Sequence, residues 1–249
     1  MIFAVAGKEL RSMFSSPMGW VILALLQLVF AHFGFFEGVD KYYKIMSGMV
    51  RPEERMGATE FIGNNVFSMA SFVMLFAVPL LSMRLISEER KNQTLTFLFS
   101  APLSLTEIVL GKFIGLVTFL TISIILTGAM VSSLNLWVTV DFGYIAANML
   151  GLWLLVASFS ALGIFVSGST QQPIVAAIIT FVVLFGLLTM DFYLAGDPTS
   201  VFNKISLMRH FEPFSHGIID TRDLAYFFLF VLTFLTLTVR RLDADRLRG

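Results

Sequence analysis

Between Phe142 and Met190 the sequence contains no Asp, Glu, Lys, Arg or His, and four other apolar stretches are nearly as free of charge. A charged side chain at the centre of a bilayer costs about 2.5–3.5 kcal/mol on insertion scales, so a chain that uses an ion gradient normally carries a few such groups in its spans. This one carries almost none, and lipid is the solvent its pattern fits. The composition agrees. Hydrophobic residues make up 57% and charged residues 14%, against about 45–50% and about 25% in soluble domains. That removes the soluble globular class.

A transmembrane helix needs about 20 mostly apolar residues. Six segments reach or approach that length, at about 17–36, 61–83, 108–134, 142–167, 173–190 and 224–239. The expected fold is therefore an all-α integral membrane protein with six transmembrane helices, the whole of 1–249 forming a single transmembrane domain. The polar stretch Gly168 to Pro173 reads as a tight hairpin turn between the fourth and fifth spans. Before the first span, Ile2, Phe3, Val5, Ala6, Leu10, Met13 and Phe14 surround Lys8, Glu9 and Arg11. This is the pattern of an interfacial amphipathic helix that ends at Ser16-Pro17. The apolar segment after it has no Ala-x-Ala cleavage pattern and reads as a retained span.

Cations set the orientation. Lys8, Arg11, Arg84, Arg90, Lys91, Lys112, Arg240, Arg241, Arg246 and Arg248 fall on one side of the six spans. Lys41, Lys44, Arg51, Arg55, Lys204, Arg209 and Arg222 fall on the other, diluted by carboxylates. The bias puts both termini, and the loop from Arg84 to Glu107, in the cytoplasm. Net charge is zero, which gives no footprint for nucleic acid, and the absence of cysteine excludes disulfides and thiol chemistry.

Within that loop, Leu95 to Ala101 is an apolar run of only about two helical turns at ~1.5 Å per residue. Glu88 and Glu89 precede it and Pro102 stops it. Ser104-Leu-Thr-Glu107 has capping-box spacing for the start of the third span. On the residues alone, an ordinary charged loop and a short helix that docks into a partner remain equally open.

The motifs Arg84-Leu-Ile-Ser-Glu-Glu-Arg90, Thr94, Leu98, Pro102 and Ile108-Val-Leu-Gly111-Lys112 resemble the signature segment of ABC-2 type permeases, the membrane subunits of a class of ATP-binding-cassette transporters. The stretch His216-Gly-Ile-Ile-Asp220-Thr-Arg222-Asp223-Leu-Ala-Tyr226, together with Lys8-Glu-Leu-Arg11 and Phe14 to Pro17, is similar to the gliding-motility-associated branch, related to the permease of nitrous-oxide reductase maturation. The resemblance implies a type V exporter fold with a cytoplasmic coupling helix between spans two and three. By this likeness Glu88, Glu89 and Arg90 contact an ATPase and Leu95, Phe97, Leu98 and Phe99 fill its groove, with Thr94 and Pro102 also in the coupling segment. It further implies two ATPase copies, a second permease copy or homologue, short re-entrant helices before span six, and room for a periplasmic accessory protein. One departure stands out, because the family often has Gly before the threonine where this sequence has Asn92-Gln93.

A self-contained ATPase needs Gly-x-x-x-x-Gly-Lys-Ser/Thr. Around Gly111-Lys112 the first glycine position holds Thr106, and Phe113 follows the lysine. No catalytic residue, metal or cofactor is expected here; ATP and Mg²⁺ belong to a partner, and Lys112 reads as an inner-surface anchor. A gradient-driven carrier and a non-transporting scaffold are the rival readings, with His32, Gln27, Asn148 and Gln171 as the polar candidates in the spans. Asn64 and Asn65 cap the second span or line an outer gate, Phe211, Pro213, Gly217, Asp220 and Arg222 mark a gate or re-entrant region, and Pro79 a hinge in the second span. Gly151, Ala157, Ser158, Ser160, Ala161, Gly163 and Gly168 give the fourth span a close-packing face.

Overall fold

Ser16-Pro17 divides the first two helices by local chemistry. The Ser16 hydroxyl accepts the Met18 N–H at 3.2 Å, and Pro17 occupies the first helical position, where its missing N–H costs nothing. A computed structural model describes residues 1–48, 57–94, 103–194 and 206–246, and no strand occurs among them. The helices are α1 (Ile2–Ser15), α2 (Pro17–Val29), α3 (Glu37–Met46), α4 (Ala58–Ser82), α5 (Arg84–Lys91), α6 (Leu105–Ser132), α7 (Phe142–Ser169), α8 (Pro173–Leu194), α9 (Leu207–Ser215) and α10 (Thr221–Arg246). A π-helical stretch, Phe30–Phe36, joins α2 to α3 without a break.

Five helical segments among the described residues are long and apolar enough to cross a membrane: Pro17–Met46, Ala58–Lys91, Leu105–Leu136, Phe142–Ser169 and Thr221–Arg246. The remaining apolar stretch, Pro173–Thr189 of α8, is shorter. Several helices outrun the apolar limits seen in the sequence. The first continues past Phe36 because Glu37 pairs with Lys41 at 3.3 Å and Asp40 with Lys44 at 2.5 Å, and such i,i+4 pairs support a helix in water. The last continues past Val239 to Arg246, where Asp245 is held by Arg90.

The core is organised around α7. In its apolar window 72% of residues are buried inside the protein, against 22% in α10, so α7 is the central helix and α10 an outer one. Its small residues admit neighbours. A Cβ on Gly151 would lie 2.4 Å from the Phe214 side chain of α9, and one on Gly163 would lie 2.2 Å from Ser82 Oγ of α4. The close-packing face of this span therefore serves contacts within the chain.

The N-terminal helix differs from the sequence expectation in what its apolar side covers. Ile2 and Val5 sit over Gly111, Ala6 and Glu9 over Gly115, and the Phe14 ring is 5.3 Å from that of Phe119. Most of the apolar face thus lies along about the first four turns of α6. Glycine at 111 and 115 permits this approach, since a Cβ at 111 would come within 2.5 Å of Val5.

Candidate coupling site

The second span runs through Pro79 without interruption and breaks at Met83, where α4 passes into α5. A hydroxyl from α7 occupies the break. Ile86 and Ser87 donate their backbone N–H groups to Ser167 Oγ at 3.2 and 3.1 Å, and the Ser167 hydroxyl donates to the Met83 carbonyl at 2.9 Å. The Ser87 hydroxyl also donates to the Met83 carbonyl. Insertion of a side chain into the helical hydrogen-bond ladder is a recognised cause of a kink, and here it ties the kink to the central helix.

Beyond the break, α5 separates the three residues expected to meet an ATPase. Glu88 is exposed, on one stripe with Arg84 and Lys91 at i, i+4 and i+7, whereas Leu85, Ile86 and Ser87 are buried. Glu89 and Arg90 turn inward. Glu89 Oε1 accepts a hydrogen bond from Lys112 Nζ at 2.7 Å, and the same ammonium donates to Glu9 Oε1 at 2.9 Å. Lys112 is only 2% exposed. Instead of standing at the surface as an anchor it is buried, and it joins α1, α5 and α6. Arg90 donates through Nη2 to the Gly168 carbonyl at the end of α7 at 2.5 Å, and to Asp245 of α10. Glu89 Oε2 and Arg90 Nε are buried without a hydrogen-bond partner among the described residues.

The end of α5 explains the departure at Asn92-Gln93. Thr94 N–H donates to the Glu89 carbonyl at 2.9 Å and Gln93 N–H to the Arg90 carbonyl at 3.2 Å, the paired bonds of a Schellman cap. Such a cap needs a left-handed residue, and Gln93 supplies it at φ 57°, the position where glycine would carry no Cβ penalty. Thr94 is exposed. Leu95, Phe97, Leu98, Phe99 and Pro102 lie outside the described residues. On the far side of that stretch the Ser104–Glu107 capping box is formed in both directions, so the third span starts where the sequence places it.

A model of the ABC-2 family transporter proteins matches residues 3–218, from α1 through the end of α9. The chain belongs to this family. ABC-2 membership makes it a permease component of an ABC transporter and a multi-pass membrane protein, one that in general works with an ATP-binding subunit. No curated protein matches the sequence.

At the other end of the permease, the candidate gate residues have partners within the chain. Asn65 donates through Nδ2 to the carbonyls of Phe33 at 3.2 Å and Gly34 at 2.6 Å, serving carbonyls of the π-helical stretch. Asn64 Oδ1 accepts from the Ser68 hydroxyl at 3.2 Å. Phe211 is buried against Gly151, and Pro213 lies inside α9. Gly217, at φ 78°, closes a second Schellman cap through Ile218 N–H to Pro213 O at 2.9 Å, and packs on Tyr144. Asp220 caps α10, its Oδ1 accepting the Arg222 N–H at 2.9 Å, while the Arg222 side chain is exposed.

Two of the polar candidates in the spans are hydrogen-bonded within the chain. Asn148 donates to the Tyr144 carbonyl of its own helix at 3.0 Å, not to a neighbouring helix. Gln27 bridges to Ser123 O and Oγ at 2.9 and 3.0 Å. His32 is exposed with its ring edge-on to Phe33, and Gln171 is exposed in the α7–α8 turn. Sequence reasoning missed one contact here: His210 Nδ1 lies 2.6 Å from Asp223 Oδ1 and the ring stacks on Tyr226 at 3.9 Å, clipping α9 to α10. The proximity of these residues across the α9–α10 turn was the available signal.

Proposed function

We propose that this ABC-2 permease is worked by two copies of an ATP-binding-cassette ATPase that grip the α5 end of the second span, with ATP and Mg²⁺ held by those subunits. In this reading the whole of 1–249 is one transmembrane domain with six spans, α8 supplying the fifth. Both termini lie in the cytoplasm, and the assembly sits in the bacterial inner membrane as a homodimer or with a homologous permease, with room for a periplasmic accessory protein. The work done is export or transmission of force across the membrane, as in the gliding-motility-associated branch that the sequence resembles.

The division of α5 into two faces carries this reading. Its outer stripe of Arg84, Glu88 and Lys91 is free to meet a partner. Its inner residues are tied to four other helices: Glu89 through Lys112 to α1 and α6, and Arg90 to α7 and α10. A displacement of α5 by closure of an ATPase dimer would therefore be carried into the bundle through rigid packed contacts, and not lost in a loose loop. Glu89 Oε2 and Arg90 Nε, buried without a partner among the described residues, support a site that changes partners during a cycle.

The test is reconstitution with the ATPase subunit and measurement of permease-stimulated hydrolysis. Glu88→Ala and Phe97→Ala should assemble in the membrane with wild-type thermal stability and lose most of the stimulation. Wild-type stimulation in both variants would end the coupling assignment.

A further inference from the structure

We propose that the outward face of α1 is a binding groove for the phosphate headgroup of an anionic phospholipid. With the apolar side of α1 laid along α6, the opposite side presents Ala4, Lys8, Arg11 and Ser15 at helical spacing, and all four are exposed. They line a shallow depression of ≈ 610 Å³, open to solvent, with room for a headgroup. Its floor is open at Gly7, where a Cβ would meet nothing within 4 Å, and Ser12 adds a hydroxyl.

Charge complementarity names the occupant. Among the described residues Arg11 pairs with no carboxylate, and Lys8 reaches only Glu9 at 3.9 Å, whose carboxylate is already held by buried Lys112 at 2.9 Å. Two cations are thus left facing the groove, and guanidinium and ammonium groups are suited to phosphate. The apolar neighbours identify a lipid as the phosphate's carrier. Phe3, at the groove edge, is 82% exposed although most other apolar residues of the helix are covered. Trp20 is 61% exposed just beyond the far end, its indole N–H donating to the Phe14 carbonyl at 3.0 Å. Exposed tryptophan with a polar tip fits the headgroup level of a bilayer. The proposal needs only the membrane placement of the chain and is independent of ATPase coupling.

The experiment measures lipid retained by the purified full chain in native mass spectrometry, offering phosphatidylglycerol or phosphatidylcholine. Wild type should prefer phosphatidylglycerol by about thirtyfold, the scale set by two surface cations at an anionic leaflet, and the preference should shrink as salt rises. Lys8→Gln with Arg11→Gln should abolish it, and Lys8→Arg with Arg11→Lys should restore it. Gly7→Leu keeps both cations, favours the helix and fills the floor, so it should also reduce retention. Arg240→Gln with Arg241→Gln, at the end of α10, should leave the preference intact. Equal retention of the two lipids by wild type, or undiminished preference in Gly7→Leu, overturns the groove. Should the double Gln variant fail to fold, hydrogen exchange on wild type decides: residues 3–15 slow with phosphatidylglycerol over phosphatidylcholine if the groove binds it, and exchange alike if it does not.

Discussion

The Ser167 hydroxyl stands in for a helical turn of another helix: it accepts the N–H groups of Ile86 and Ser87 and donates to the Met83 carbonyl, from a position wholly buried on α7. Its removal leaves two buried donors short of a partner, at about 1–3 kcal/mol for an unsatisfied group, while the Met83 carbonyl keeps the Ser87 hydroxyl. Ser167→Ala should lower the thermal midpoint in detergent and speed hydrogen exchange at Ile86 and Ser87 specifically. Unchanged protection at those two amides would mean that the hydroxyl is a bystander.

Lys112 is the counterion of both Glu9 and Glu89. Breaking a buried pair by deleting one partner typically costs about 3–5 kcal/mol, while replacing the whole cluster with apolar groups can be neutral. Lys112→Ala should therefore destabilise strongly, and Lys112→Met combined with Glu9→Gln and Glu89→Gln should recover much of the loss. Thermal unfolding of the two variants side by side distinguishes this from simple loss of packing volume, which would leave both equally unstable.

Both Schellman caps favour glycine at their left-handed position, so the two substitutions have opposite signs. At Gln93, φ 57° places a Cβ in the left-handed region, a strain of about 1–2 kcal/mol partly offset by the entropy glycine loses on folding. Gln93→Gly should raise stability by about 0.5–1 kcal/mol. Gly217→Ala, at φ 78° with Tyr144 only 3.1 Å from the new methyl, should lower it by more than that. Denaturant midpoints of both variants test the pair of signs.

Asn65 holds the π-helical stretch through Phe33 and Gly34. A π turn leaves carbonyls without their usual partners, so Asn65→Ala should destabilise by about 1–3 kcal/mol. Asn65→Gln, one methylene longer, should recover little. Amide exchange across 30–36 reports the site directly; equal exchange in wild type and Asn65→Ala would show that the stretch needs no support from α4.

Much of the bundle was legible in one dimension. The charge-free stretch from Phe142 to Met190, the prolines at 17 and 173 and the Ser104–Glu107 box each act on neighbours in the chain, so the sequence by itself determined the membrane class, the helical elements and most of their starts. It also marked Asn92-Gln93 as a bend where glycine is usual, which the left-handed Gln93 explains. Helix ends were less legible, because α3 and the last turns of α10 are stabilised by ion pairs after the apolar signal has stopped.

Only the tertiary structure decided which way the charged residues of α5 face. Glu88, Glu89 and Arg90 read alike as a solvated run, yet Lys112 lies 23 residues from Glu89 and 103 from Glu9, and Asp245 lies 155 from Arg90. Periodicity specifies a helix face and says nothing about which helix will cover it, so a cation buried between three helices leaves no local mark. The physical reason is that a charge is held inside this protein by partners brought together by packing, and packing is a property of the folded bundle.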